Sequence, residues 1–387
     1  MKSAERLIHI KEYYFSSKLK EVRRLVAQGK PIINMGIGSP DLTPPLSVIR
    51  AIQNALAYPE AHKYQSYQGL PEFRKAVSDF YKRHYHVAIN ASSEVLPLMG
   101  SKEGILHISM AFLDKGDQVL IPNPGYSAYT SVTNLLEAEP WYYDLNSRTN
   151  WQPDLAALER QDLCKVKIMW VNYPHMPTGT RPSRELFEDL IDFGKRNQIL
   201  IVNDNPYSFI LNNNPMSLLS VPGAKDIALE LNSLSKSFNI AGWRVGMLLG
   251  SEHFLQNVSK VKTQMDSGMF YGIQKGAVAA LNTEVEWFHE TNNIYETRRK
   301  LIWKIADALH CTYDTNNSSG MFVWAKLPEK QDSEMFIDEL LHKESIFIAP
   351  GSIFGSNGEG YVRFSLCVSK DKIEEALNRI QKRNTLG

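Results

Sequence analysis

The sequence has almost no net charge: 43 basic and 42 acidic side chains leave +1 over 387 residues. So balanced a chain has no general field to draw it to nucleic acid or to an anionic membrane. The cluster Lys18, Lys20, Arg23 and Arg24 reads as one solvated helix face, not a phosphate track. Cysteine is scarce, and Cys164, Cys311 and Cys367 stand too far apart for a metal or redox motif, which fits free thiols in a reducing compartment. No apolar run approaches the ~20 residues that cross a bilayer, and the opening segment lacks the apolar core of a secretion signal, so a cytoplasmic place is expected. Several catalytic signatures are missing too: there is no Walker phosphate loop, no GxSxG elbow and no HExxH pair, which removes the ground for metal or serine hydrolysis. The stretch Gly36-Ile37-Gly38-Ser39-Pro40-Asp41 starts like a dinucleotide fingerprint. Its third glycine is missing, however, and Pro40 interrupts where a helix should open, which argues against a nicotinamide site.

What is present describes an ordinary globular protein, 43% apolar and 22% charged, longer than one hydrophobic core usually supports. Amphipathic spacing predicts helices near 46–57, 71–84, 102–113, 184–196 and 252–264, with short β-rich runs at 118–122, 167–172, 199–203 and 245–249. That alternation predicts an α/β fold with a mostly parallel sheet. A long helical pattern covers Glu284 to Leu309, and beyond it the order changes, with elements at 321–327, 334–344, 345–349, 361–366 and 371–383. The segment before Pro44 has too little apolar content to stand alone and is expected to pack on the C-terminal part. The division is therefore a large domain at 45–285 and a smaller α/β domain made of 1–44 and 286–387.

The most informative motif is Ser233-Leu234-Ser235-Lys236-Ser237-Phe238, followed by Gly242-Trp243-Arg244-Val245-Gly246. A lone lysine is ordinarily a surface charge. Here it lies among small hydroxyl residues and glycines, just before a buried strand. Desolvation and a nearby cation such as Arg244 would lower its pKa from about 10.4 and free a nucleophilic amine for Schiff-base chemistry. Upstream, the apolar run Ile199 to Asn203 leads into Asp204-Asn205-Pro206-Tyr207. Taken alone, Asp204 could be a turn or cap residue; at the C-terminal edge of a parallel sheet it falls where ligands bind. Met99-Gly100-Ser101-Lys102 precedes a helix whose free N–H groups can either be capped or hold a phosphate. Tyr126, after a strand, reads as a core ring or as a surface for a flat heterocycle.

In order and spacing these segments resemble the class I/II aminotransferases of fold type I, pyridoxal-phosphate enzymes related to aspartate aminotransferase. The lysine segment, the arginine eight residues after it and the DxxY run beginning 32 residues before it form a specific combination. The resemblance implies a large domain with a mostly parallel seven-stranded sheet and a smaller α/β domain. It implies pyridoxal 5'-phosphate held by Lys236, with Asp204 pairing with the pyridine nitrogen and Tyr207 bonding the phenolic oxygen. Gly100, Ser101, Lys102, Ser233 and Arg244 would hold the phosphate and Tyr126 would stack on the ring. Arg363 would grip the substrate α-carboxylate, aided by the backbone of Gly38, and Tyr64 would reach the phosphate of a neighbouring subunit. A homodimer with shared sites follows, with small amino acids and 2-oxo acids as partners, no nucleic acid, no membrane and no metal.

The activity so implied is ping-pong transfer of an amino group from an L-amino acid to a 2-oxo acid, 2-oxoglutarate by family habit. A carbon-sulfur β-lyase on the same scaffold is the alternative, since the same residues serve elimination. A non-enzymatic regulatory module is a third reading, disfavoured because the N-terminal stretch is too short for a winged helix. One position departs from the family: its usual NPTG reads Met176-Pro177-Thr178-Gly179, and a thioether cannot donate to the phenolic oxygen. Selectivity is expected from residues outside these motifs, such as Tyr14, Phe15 and Met176. The donor stays open among diaminopimelate-like, aromatic, methionine and alanine types, with a lean toward amino-acid biosynthesis.

Overall fold

A computed structural model describes residues 2–8, 10, 14–328 and 331–386. Strand β1 (Ile33–Asn34) is followed by β2 (Val95–Leu98), β3 (Gln118–Asn123), β4 (Glu139–Asp144), β5 (Val166–Val171), β6 (Leu200–Asp204), β7 (Ala228–Ser233) and β8 (Gly246–Gly250). The last seven form one sheet in the order β2-β8-β7-β6-β5-β3-β4. Pairing is parallel from β4 through β7. Only β8 runs against its neighbours, β7 on one side and β2 on the other. The mostly parallel α/β sheet expected from the alternation of elements is thus the observed one.

Both faces of this sheet are covered, which is why its strands read as continuous apolar runs instead of alternating ones. Side chains two apart share a face. Ile168, Trp170, Val202 and Leu229 belong to one core, under the helices Ser101–Phe112 and Glu252–Lys262. Met169, Val171, Ile201 and Ala228 belong to the other, under Pro71–Tyr85 and Arg184–Asn197. Helix ends follow local chemistry. Pro71 opens one helix at a position where its missing N–H costs nothing, and Ser183 Oγ accepts from Leu186 N at 3.0 Å to start another.

Past the 24-residue helix Val285–Ala308 come β9 (Thr312–Tyr313), β10 (Phe322–Lys326), β11 (Ile346–Phe347), β12 (Ala349–Pro350) and β13 (Tyr361–Ser365). Four of these form a sheet in the order β12-β13-β10-β9. The N-terminal segment joins this part: β1 pairs in parallel with β11, Ile33 opposite Ile346. The helix Tyr14–Ala27 carries the basic cluster, and Lys18 there is paired with Glu21 and Asp338.

The pattern-based reading omitted β2, β4 and β7. Each has a physical reason: Pro97 sits inside β2, the edge strand β4 is rich in polar and aromatic residues, and Glu230 breaks the apolar run of β7. A one-residue shift in β6 also matters, because Asp204 is the last residue of the strand and not the first of the turn.

Candidate active site

In a parallel sheet the strand ends converge on one edge, and here that edge assembles the chemistry. Asp204 ends β6, and Ser233 ends β7 with Lys236 in the short helix Leu234–Ser237 beyond it. Strand β8 brings Arg244 to the same place by running backwards, since its first residue, Gly246, lies opposite both Ser233 and Leu98. Gly100 and the helix Ser101–Phe112 leave from the end of β2. From the smaller sheet, Phe322 on β10 and Arg363 on β13 close the site across the gap.

A cavity of about 500 Å³ lies between these elements. Among the sequence-predicted residues, Gly38, Ser101, Lys102, Tyr126, Asp204, Tyr207, Ser233, Lys236, Arg244 and Arg363 line it. Gly100 stands just behind the wall: a Cβ there would come 2.2 Å from the Arg244 guanidinium, and its φ of +93° is one that side chains rarely adopt. Tyr64 is not brought in; its side chain is 91% exposed. Phe15 and Met176 line the cavity, whereas Tyr14 faces an adjoining chamber.

Lys236 Nζ donates to the Gly38 carbonyl at 2.5 Å. Burial lowers its pKa, and the charges of Arg363 and Arg244 add to that, with Cys367 opposing. Gly38 can lie this close because it lacks a side chain: a Cβ would sit 2.3 Å from the Phe322 ring. Asp204 is buried; its Oδ2 accepts from Tyr129 OH at 3.0 Å, while Oδ1 finds no partner among the described residues. Burial raises its pKa to about 7 and the Tyr129 hydrogen bond works against that rise. An acceptor buried without a donor is costly unless a ligand satisfies it. Tyr207 is also buried, which holds its phenol neutral.

Ser233 Oγ, Ser235 Oγ and the Arg244 guanidinium form a contiguous group, with 2.9 Å between the hydroxyls and 3.5 Å from Ser235 to Arg244 Nη1. The backbone of Ser101 packs beside them, so close to Gly246 that a Cβ there would meet its N at 2.7 Å. Hydroxyls, a guanidinium and a helix N-terminus make a cradle for a phosphate. Arg363 is buried; it donates to Gly36 O at 2.8 Å and approaches Met176 Sδ at 3.3 Å, with its guanidinium 4.0 Å from the centre of the Phe322 ring. A planar bidentate donor in apolar surroundings suits a carboxylate.

Motif reasoning missed three residues. Tyr129, stacked on Trp170 at 4.8 Å, reaches Asp204 from the helix Ser127–Leu135; its one sequence signal is a position three after Tyr126, the residue that precedes that helix. Asn172 lines the cavity, accepts from Met176 N at 2.9 Å and donates to the Asp204 carbonyl. Phe354 packs its ring 4.6 Å from the Arg363 guanidinium. Among the described residues there is no group of three or more His, Cys, Asp or Glu placed to hold a metal ion, and no helix long and apolar enough to cross a membrane.

An unsatisfied carboxylate oxygen beside a buried lysine, with a phosphate cradle nearby, fits pyridoxal phosphate: a pyridine nitrogen, an aldehyde and a phosphate. Comparison with known proteins agrees. Residues 30–380 match the aminotransferase class I and II family. An LL-diaminopimelate aminotransferase of Aquifex aeolicus is 37% identical over 380 residues, covering 98% of both chains. LL-diaminopimelate aminotransferase 2 of Trichormus variabilis is 38% identical over 384 residues, again 98% of each. Among solved structures, substrate-bound BacF from Bacillus subtilis superposes with a TM-score of 0.95 at 32% identity, covering 99% of this chain and 98% of that one. Aspartate aminotransferase of Thermotoga maritima superposes with a TM-score of 0.90 at 26% identity, covering 99% and 100%. Fold and site together define a fold type I pyridoxal-phosphate enzyme. The chain belongs to the aminotransferase class I and II family, whose members transfer an amino group from an amino acid to a 2-oxo acid.

Proposed function

We propose that Lys236 is the residue joined to the cofactor and that its freed amine then moves the proton from the substrate Cα. The observation that carries this is the pairing, in one cavity, of a buried lysine with a buried carboxylate oxygen that has no partner. When bound, pyridoxal phosphate supplies the electron sink for the amino transfer. Asp204 Oδ1 would hold a proton on the pyridine nitrogen, with Tyr129 leaving that oxygen free by occupying Oδ2. Tyr207 would donate to the phenolic oxygen, and Tyr126 would stack on the ring. Ser101, Lys102, Ser233 and Arg244 would hold the phosphate, with Gly100 giving Arg244 room. Arg363 and the Gly38 backbone orient the substrate carboxylate, which fixes which Cα bond faces Lys236 Nζ.

The acceptor in this reading is 2-oxoglutarate. The protein works in the cytoplasm as a homodimer with shared sites; Tyr64, exposed and absent from the lining of its own cavity, can serve a neighbour's. Residues 45–285 act as the large domain, and 1–44 with 286–387 as the smaller one that carries Arg363.

The test is Lys236→Ala assayed for transfer from an L-amino acid to 2-oxoglutarate, together with borohydride trapping and peptide mapping. The parent should be tagged at position 236 and the variant should lose both tag and transfer. Near-parent turnover by the variant would overturn the assignment. With amino acid alone the parent should stop after one half-turnover; continuous release of ammonia would instead indicate elimination.

A further inference from the structure

Resting on the shared-site homodimer proposed above, we infer that Lys262 is a positioning residue for the neighbouring subunit's cofactor site: through Asp266 and Gly268 it fixes the segment that presents Tyr64.

Lys262 ends the helix Glu252–Lys262 and is fully buried. Its Nζ donates to Asp266 Oδ1 at 3.0 Å, lies 2.7 Å from Oδ2 and donates to the Tyr67 carbonyl at 3.1 Å. The Asp266 carboxylate is buried with it, and Oδ1 also accepts from Gly268 N at 2.8 Å. Gly268 in turn lies against Gln65: its φ is +89°, and a Cβ there would come 2.3 Å from the Gln65 carbonyl oxygen. Gln65 Nε2 donates to the Lys63 and Glu60 carbonyls, at 2.8 and 3.1 Å, which brackets Tyr64. Buried Gln274 closes the far end of the segment, accepting from Leu70 N at 2.7 Å and donating to Met269 O at 2.7 Å.

A run of contacts thus leads from one buried ammonium to the backbone on either side of Tyr64. The outer face of the same segments is the opposite in character, since Tyr64, Tyr67, Met265 and Phe270 are all exposed. Rings and a thioether held outward on fixed backbone make a preorganised contact surface, with little conformational freedom left to lose when a second chain meets it. A buried ion pair is a poor source of stability, because desolvating both charges offsets their attraction. Its return here is geometric: the two segments are locked together, and a hydroxyl that must meet a phosphate on another chain tolerates a misplacement of less than about 1 Å.

The test uses hybrid dimers stripped of cofactor, each with one Lys236→Ala chain, so that borohydride can tag position 236 on the other chain only. Tagging is then followed as pyridoxal phosphate is titrated. Lys262→Met/Asp266→Asn removes both charges together and leaves an amide oxygen for Gly268 N. Placed on the Lys236→Ala chain, which supplies the Tyr64 segment to the taggable site, it should raise the half-saturating concentration about tenfold or more, near the worth of one charge-assisted hydrogen bond. Placed on the chain that keeps Lys236, it should leave that concentration at the parent hybrid's value. Equal loss in both placements, loss only in the second or loss in neither would overturn the inference. Lys262→Gln, one bond shorter but still a donor to Asp266, is the milder variant if the double one forms no hybrid, and the same dependence on placement is expected of it. Tyr64→Phe in both placements tests the reading beneath: loss confined to the first supports shared sites, whereas no dependence on placement, or sedimentation as a monomer, would overturn shared sites and the inference together.

Discussion

Asp204 illustrates what a single residue costs and returns. Its carboxyl is raised from 3.8 to about 7 by burial, so it binds a proton more readily in the folded chain than in the unfolded one. Stability from this group is therefore complete below about pH 4 and falls as pH rises to about 7, by on the order of 4 kcal/mol at most. Asp204→Asn, in cofactor-stripped protein, should melt higher than the parent at pH 8, with the gap closing below pH 4; thermal scans across pH check this. The same variant should lose most amino transfer, because a neutral amide cannot hold the pyridine proton. Met176 is the complementary case, a departure that the motif itself made visible. Met176→Asn adds a donor for the phenolic oxygen, which stabilises its negative charge and weakens its hold on the neighbouring imine proton. The pH midpoint of the holoenzyme's visible absorbance should fall by about one unit, near the worth of one hydrogen bond. A titration and turnover indistinguishable from the parent would reject a tuning role for Met176.

At the scale of elements, the site depends on how strands end. The motif Met99-Gly100-Ser101 reads from sequence as a helix start, yet the need for glycine is tertiary, since the occupant of the Cβ space is Arg244, 144 positions on. Gly100→Ala should cost about 1–3 kcal/mol through its positive φ and displace Arg244, so that cofactor affinity falls more than melting temperature does. Equilibrium binding of pyridoxal phosphate alongside thermal scans separates the two. Helices with a clear apolar stripe were legible within a residue or two, as with Leu46–Leu56 and Pro71–Tyr85. Strands β2, β4 and β7 were not, because a proline, an exposed edge and a buried glutamate each broke the apolar pattern. The glutamate is accommodated only by partners distant in sequence: Glu230 accepts from Tyr81 OH at 2.9 Å and from Leu218 N at 2.8 Å.

Across the whole molecule, the loop that carries Gly38 is tied to the C-terminal part by two buried arginines, Arg363 through the Gly36 carbonyl and Arg298 through Asp41. Arg298 donates to both Asp41 oxygens, at 2.7 and 2.8 Å, and to the Leu366 carbonyl at 2.9 Å. This clamp holds the Gly38 carbonyl where Lys236 meets it. Asp41→Ala leaves the guanidinium half-satisfied and should destabilise the fold by about 1–3 kcal/mol. It should also raise KM for the amino donor, because Gly38 borders the place assigned to the substrate carboxylate; denaturant melts and steady-state kinetics check the two effects. The residue types of the chemistry, the alternation that makes an α/β sheet and the order of the motifs are local properties, and local chemistry alone sufficed to recognise them. Distances between residues hundreds of positions apart are not local. The Tyr129 contact with Asp204, the open Oδ1 and the reversal of β8 that delivers Arg244 exist only once both cores have packed, because packing and not periodicity decides which side chains face one another.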